Sequence, residues 1–324
     1  MLKHSVILSN VGSCCDRYMP EGYSYPYTIV EMFERLSTIH GVDGVELIGN
    51  SNISEENVFQ VKEYLNRFEY EAVSIIPDHF GKRIWSKGAF TSSDEDIRKK
   101  SVEECCKMID IAKILDCSLV SIWNGQDGYD YPLQADYDRC YEWLIQGIRQ
   151  CARYSPDIKI SLEYKPKEPR NHSFISNVYS ALAIINDINE KNVGITIDTG
   201  HSLEAYENMA EAACAALRKG KLFHLHMNDN YRLWDDDMIT GSIHTVEFIE
   251  LFYWIKKYKY DGWMSTDQYP YREDSVKAVE QSIEWFKAYE KIVDSIDEKN
   301  IKQIFDSQDA IQSVALMRKL ILGA

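Results

Sequence analysis

Val193-Gly194-Ile195-Thr196-Ile197-Asp198-Thr199-Gly200-His201 is a short apolar run that stops on a carboxylate. Its hydrophobicity is continuous rather than strictly alternating, as in a parallel strand covered on both faces. Seven further runs have a similar length and character: residues 6–9, 44–48, 72–76, 119–123, 158–163, 222–226 and 262–267. Helical patterns separate them. Ser92-Ser93-Asp94 can cap a helix reaching about Leu115, with Ile97, Val102, Cys105, Ile109 and Ala112 on one face. Thr245 can cap another, through Phe248, Leu251, Phe252 and Ile255 to near Tyr258, and Ser275 can start a third through Val279, Ile283 and Phe286. Strand–helix alternation repeated eight times predicts a parallel α/β fold, a (β/α)8 TIM barrel. An open doubly wound sheet ordinarily carries a Gly-rich phosphate turn after its first strand, and Val11-Gly12-Ser13-Cys14 is not one. Residues 1–296 make the barrel domain. Residues 297–324 form a C-terminal helical extension, patterned through Ile301, Ile304, Ile311, Val314, Met317 and Ile321, that docks on the barrel or on a partner subunit.

The 324 residues are 45% hydrophobic and 27% charged, enough to bury a large core. A formal net charge of −15 weighs against a nucleic-acid or anionic-membrane partner and leaves neutral sugars unaffected. No apolar run approaches the roughly 18 residues of a membrane span, and residues 1–8 are too short an apolar stretch for a signal peptide. A cytoplasmic protein follows, expected as a homodimer or homotetramer. The eight cysteines include the adjacent pairs Cys14-Cys15 and Cys105-Cys106 and no CxxC, which reads as reduced, mostly buried thiols.

Barrel enzymes place their chemistry at the C-terminal ends of the strands. Here four consecutive strands end on Glu163, Asp198, His226 and Asp267. A lone strand-end carboxylate is usually a solvated loop group or a helix cap. Four ligand-type residues at matching ends converge when a barrel closes, and three converging carboxylates repel without a cation. Oxygen donors with one imidazole suit Mn²⁺ first, then Mg²⁺ or Co²⁺, with Zn²⁺ a further alternative. The run Trp234-Asp235-Asp236-Asp237-Met238 has two readings: an acidic surface loop, or a second metal position made by Asp235, Asp237, His201 and a bridging Asp198. Trp123 either fills the barrel mouth or presents its indole to a sugar ring. Lys165, two residues beyond Glu163, points to the same side and can polarise a substrate oxygen. The polar stretch 165–172, with Arg170 and His172, is a substrate-binding loop or merely solvated.

These motifs resemble the xylose-isomerase-like TIM-barrel superfamily, and within it the L-rhamnose isomerase type. Glu163-Tyr164-Lys165, Asp198-Thr199-Gly200-His201 and the run from His226 to Asp237 carry the resemblance, which extends from the second strand to Asp267. It implies a metal-dependent aldose–ketose isomerase acting on a monosaccharide. Glu163, Asp198, His226 and Asp267 would hold the structural metal; Asp198, His201, Asp235 and Asp237 the catalytic one; and Lys165 would contact the substrate oxygen beside the migrating hydrogen. The alternative is a ketose epimerase or keto-glycoside lyase with one metal, in which acidic residues such as Glu163 and Asp267 exchange a proton. Xylose isomerases carry a His-Asp pair after the second strand; here that region reads Gly44-Val45-Glu46-Leu47-Ile48-Gly49, and His79 is the candidate replacement for ring opening, or else a loop histidine. Apurinic-site endonucleases share the barrel and an Asp-x-x-His pair. They use a more histidine-rich zinc cluster and a basic DNA face, unlike Trp123, Asp237 and the acidic balance here. A non-enzymatic sugar-binding barrel is the remaining alternative.

Overall fold

The computed structural model describes residues 2–323. Eight strands close a parallel barrel: β1 (Lys3–Ile7), β2 (Gly44–Ile48), β3 (Glu71–Ile76), β4 (Leu119–Trp123), β6 (Lys159–Glu163), β8 (Val193–Asp198), β9 (Leu222–Met227) and β10 (Trp263–Thr266). Around the barrel they follow the chain, and β1 closes on β10. A two-stranded antiparallel flap, β5 (Gly128–Tyr129) with β7 (His172–Ser173), joins two loops over the C-terminal face.

The first strand starts three residues earlier than its apolar run suggests, and residues Leu8–Val11 turn into a 3₁₀ helix. Lys3 and His4 masked this start. Lys3 is the exposed first residue of the strand, whereas His4 is buried, its Nδ1 3.2 Å from the Gly41 carbonyl. Asp94 caps Glu95–Ile114 and Ser275 starts Ser275–Asp294, both as expected, with Asp274 capping the latter by accepting from the Val276 and Lys277 amides. His244 occupies the cap position of Thr245–Lys257, while the Thr245 hydroxyl donates back to the Gly241 carbonyl at 2.9 Å. The tail forms two helices, Glu298–Ser307 and Ala310–Leu322, broken by Gln308 in a left-handed conformation. Ile301 and Ile304 are buried, whereas Ile311, Val314 and Ile321 face solvent.

Alternation along the strands layers the barrel interior. Beneath the mouth lie Ser5, Ser74, Ser121, Ser161, Thr196 and Ser265, all inaccessible to solvent, with Glu46 and His224 at the same level. Barrel interiors are more often branched and apolar. Five of these hydroxyls bond one another instead: Ser5 bonds Ser265, and Thr196 bonds both Ser121 (2.8 Å) and Ser161 (2.7 Å), while the Ser74 hydroxyl has no hydrogen-bond partner. The apolar core lies outside the barrel, between the strands and helices, with Phe33, Phe248, Phe252 and Phe286 fully buried.

Candidate metal centre

Asp198 ends β8 and caps the short helix Thr199–Glu204, its Oδ1 accepting from the His201 amide at 2.8 Å. The cap fixes the carboxylate at the barrel mouth and turns His201 back over it. Asn228 donates to the other oxygen, Oδ2, at 2.8 Å. Gly200 permits that approach, because a Cβ there would collide with the Asn228 amide. In Glu163-Tyr164-Lys165 the alternation splits the roles. Glu163 and Lys165 face the mouth, while Tyr164 points outward and donates to Glu207 at 2.6 Å. Asp229 accepts from the Ile243 and His244 amides and from the His244 ring, closing the loop that carries Asp235 and Asp237.

Two groups result. Glu163, Asp198, His226 and Asp267 each offer a donor atom within 4.8 Å of the others, and Asp198, His201 and Asp235 form an adjoining set that shares Asp198. His226 Nδ1 lies 3.3 Å from Glu163 Oε2 and 3.3 Å from Asp267 Oδ2, and His201 Nδ1 lies 3.3 Å from Glu163 Oε1. Both Nδ1 atoms are buried without a hydrogen bond. Buried nitrogens aimed into oxygen donors and left unbonded fit a divalent cation. The electrostatics agree. Burial, reinforced by Asp235, Asp267 and Glu163, pushes Asp198 up to about 7. Loss of solvent and the Asp235 charge raise Asp237 well above the carboxylate range. Burial opposes a charge on His201, yet Asp198 and Asp235 overcome it and hold the imidazole up at about 10. Such a cluster carries more negative charge than its own side chains neutralise.

A cavity of about 330 Å³ opens above these residues. Ile7, Ile48, Ile76, Phe80 and Trp123 make an apolar wall, facing Lys165, His201, Asp235, Asp237 and Asp267, with Tyr269 and Tyr271 at the rim. Phe80 packs on Trp123 at 4.6 Å between ring centres, and Lys165 Nζ stands 5.5 Å from the centre of the Trp123 ring. Lys165 donates to Asp235 at 2.7 Å. Asp237 lines the cavity but stands outside the Asp198–His201–Asp235 group.

Three expected site residues lie elsewhere, which corrects the sequence reading. His79 is inaccessible, 2.9 Å from the Ser101 carbonyl and packed on Trp85 and Phe90. Its apolar surroundings hold it neutral, down to about 4, so it is a core histidine rather than a cavity base. Arg170 pairs with Asp130 at 2.8 Å and His172 stacks on Tyr129 at 4.8 Å, so both stabilise the β5–β7 flap and neither lines the cavity. Two others were missed. Glu46 is fully buried and receives His224 Nε2 at 2.8 Å and His226 Nε2 at 3.3 Å. A lone carboxylate inside an apolar strand, and a His-x-His repeat that puts both rings on one strand face, were the available signals.

The description "Xylose isomerase-like TIM barrel" matches residues 33–289. Xylose isomerase from Thermus thermophilus is 26% identical over 194 residues, which cover 58% of this chain and 50% of that protein. The chain thus spans about half the length of that relative. Among solved structures, a D-tagatose 3-epimerase-like protein superposes with a TM-score of 0.69 at 25% identity, covering 90% of this chain and 98% of the other. A D-allulose 3-epimerase from Methylomonas sp. superposes with a TM-score of 0.68 at 17% identity, covering 88% and 96%, a likeness of fold. The closed barrel and the matched segment together place the chain in the xylose isomerase-like TIM-barrel family.

Proposed function

We propose that the protein is a divalent-metal-dependent sugar isomerase that interconverts the aldose and ketose forms of a monosaccharide. The observation that carries this reading is the second group, Asp198–His201–Asp235, beside the complete Glu163–Asp198–His226–Asp267 set, with Lys165 reaching the same oxygen of Asp235. Ions at these positions supply Lewis acids for the sugar's carbonyl and hydroxyl oxygens, with Mn²⁺ the first choice for the oxygen-rich set. The chain's own groups do the rest. Trp123 and Phe80 offer an apolar face to the sugar's C–H surface and exclude water. Burial works against the Lys165 charge, but Asp235 and Asp237 keep the ammonium protonated, so it can donate to the oxygen beside the migrating hydrogen. The cavity volume suits a free monosaccharide.

A second reading is proton-transfer epimerisation at one metal. It is favoured by Glu163 and Asp267 facing each other across His226 and by the likeness to the D-tagatose 3-epimerase-like protein. Turnover of an aldose–ketose panel with Mn²⁺ in D₂O separates the two. Ketose formed without carbon-bound deuterium supports hydride transfer and isomerisation; deuterium in a C3 epimer supports the second reading. An inert panel removes both.

A further inference from the structure

Glu46 lies in β2 and His224 and His226 in β9, strands separated by β1 and β10, so their contact crosses the barrel interior. Around them the layer is built of small hydroxyls, and Glu46 is the one carboxylate at that level among the described residues. Its two oxygens divide between the two rings: Oε1 takes His224 Nε2 at 2.8 Å, and Oε2 takes His226 Nε2 at 3.3 Å. The rings meet edge to face, 5.1 Å apart at 89°. The opposite nitrogen of His226, Nδ1, is the atom that faces Glu163 and Asp267 and lacks a hydrogen bond.

We propose that Glu46 is a positioning residue: from the polar layer under the site it accepts the Nε2–H of His226, fixing the tautomer that leaves Nδ1 bare toward the metal group, while His224 pins the carboxylate in place. A neutral imidazole carries one N–H, and the nitrogen that keeps it is set by the acceptor offered to the ring. With Glu46 holding the Nε2 proton, Nδ1 is the nitrogen whose lone pair an arriving cation takes. The carboxylate also raises the ring's basicity toward a cation, an outer-shell effect worth about 10–100-fold in metal affinity. The hydroxyls around Glu46 offer His226 Nε2 no comparable charged acceptor, so this function rests on one side chain.

The inference rests on the metal reading of the Glu163–Asp198–His226–Asp267 set. Its test is the calorimetric affinity of the full chain for Mn²⁺, with Glu46→Gln beside the unaltered protein and no substrate present. Glu46→Gln keeps the shape and removes the charge; the expected result is binding weaker by about 10–100-fold at unchanged circular dichroism. A folded Glu46→Gln that binds Mn²⁺ as tightly as the unaltered protein overturns the proposal and leaves the metal reading standing. No binding by the unaltered protein overturns both. A second measurement covers a variant that fails to fold. In the ¹⁵N-histidine spectrum of the unaltered, Zn²⁺-loaded chain, His226 is expected as the Nε2–H tautomer; an unprotonated Nε2 overturns the proposal.

Discussion

Asp235 Oδ2 lies 2.7 Å from Lys165 Nζ and 3.0 Å from His201 Nε2, so one carboxylate oxygen serves an ammonium and an imidazole. Asp235 is correspondingly held far below the ordinary carboxylate range: burial opposes its charge, and the two cations outweigh burial. Lys165→Met removes the ammonium without touching Glu163, Asp198, His226 or Asp267. Turnover is expected to fall by about 10²–10³-fold, the cost of one preorganised donor, with Mn²⁺ affinity at the four-residue group retained. Steady-state kinetics with parallel calorimetry check the split.

Metal should stabilise the fold, because the ligands come together only in the closed barrel. At Mn²⁺ a hundredfold above its dissociation constant, binding to the native state alone adds about 2.7 kcal/mol. A thermal scan is expected to show the melting temperature rising with Mn²⁺ and falling back on chelation. In Glu163→Gln, which lacks a carboxylate of the cluster, most of that rise should disappear.

Stability should also decline in mild acid through His79. Its folded-state value, about 4, lies below the ordinary 6.5 because the ring is buried. Between those pH values the unfolded chain binds a proton that the folded chain refuses. Stability from this group is therefore full above about 6.5 and is lost as pH falls toward 4, by about 3 kcal/mol in all. Denaturant unfolding at a series of pH values is expected to show a shallower decline in His79→Leu than in the unaltered protein, whatever the variant's stability at neutral pH.

Asp127 holds the segment between the third strand and its helix. Its carboxylate accepts from the Ala89 and Thr91 amides at 2.8 Å each, from the Thr91 hydroxyl at 2.6 Å and from the Phe90 amide at 3.2 Å. Asp127→Ala strands these buried donors at about 1–3 kcal/mol per group. Unfolding free energy is expected to drop by about 3 kcal/mol or more in denaturant titration, and the Phe80–Trp123 wall nearby should loosen, raising KM for a sugar substrate.

Much of the architecture is written locally. The runs at 44–48, 119–123 and 193–198 coincide with β2, β4 and β8, because the residues these strands turn toward the covering helices are apolar, while Glu46, Ser121 and Thr196 alternate toward the barrel interior. A chain that alternates such strands with helices has few ways to bury both faces, so barrel closure and the meeting of Glu163, Asp198, His226 and Asp267 follow from their common position at strand ends. Boundaries flanked by polar residues were less legible. Lys3 and His4 belong to β1 although neither is apolar, since His4 packs on Phe286 across the barrel wall. Loop residues were least legible of all. Pro77-Asp78-His79, Arg170 and His172 carry the residue types of a site, yet one ring turns into the core and two side chains brace the flap, because a loop's direction is set by what it packs on. Glu46 shows the same limit from the other side. Its sequence neighbours mark it as a charge inside a strand; only barrel closure, which brings β2 opposite β9, supplies the two histidines that make a buried carboxylate stable there. Order along the chain therefore determined the strands and the carboxylates and imidazoles at their ends, while contacts across the barrel decided which other charged groups join them and what each one holds.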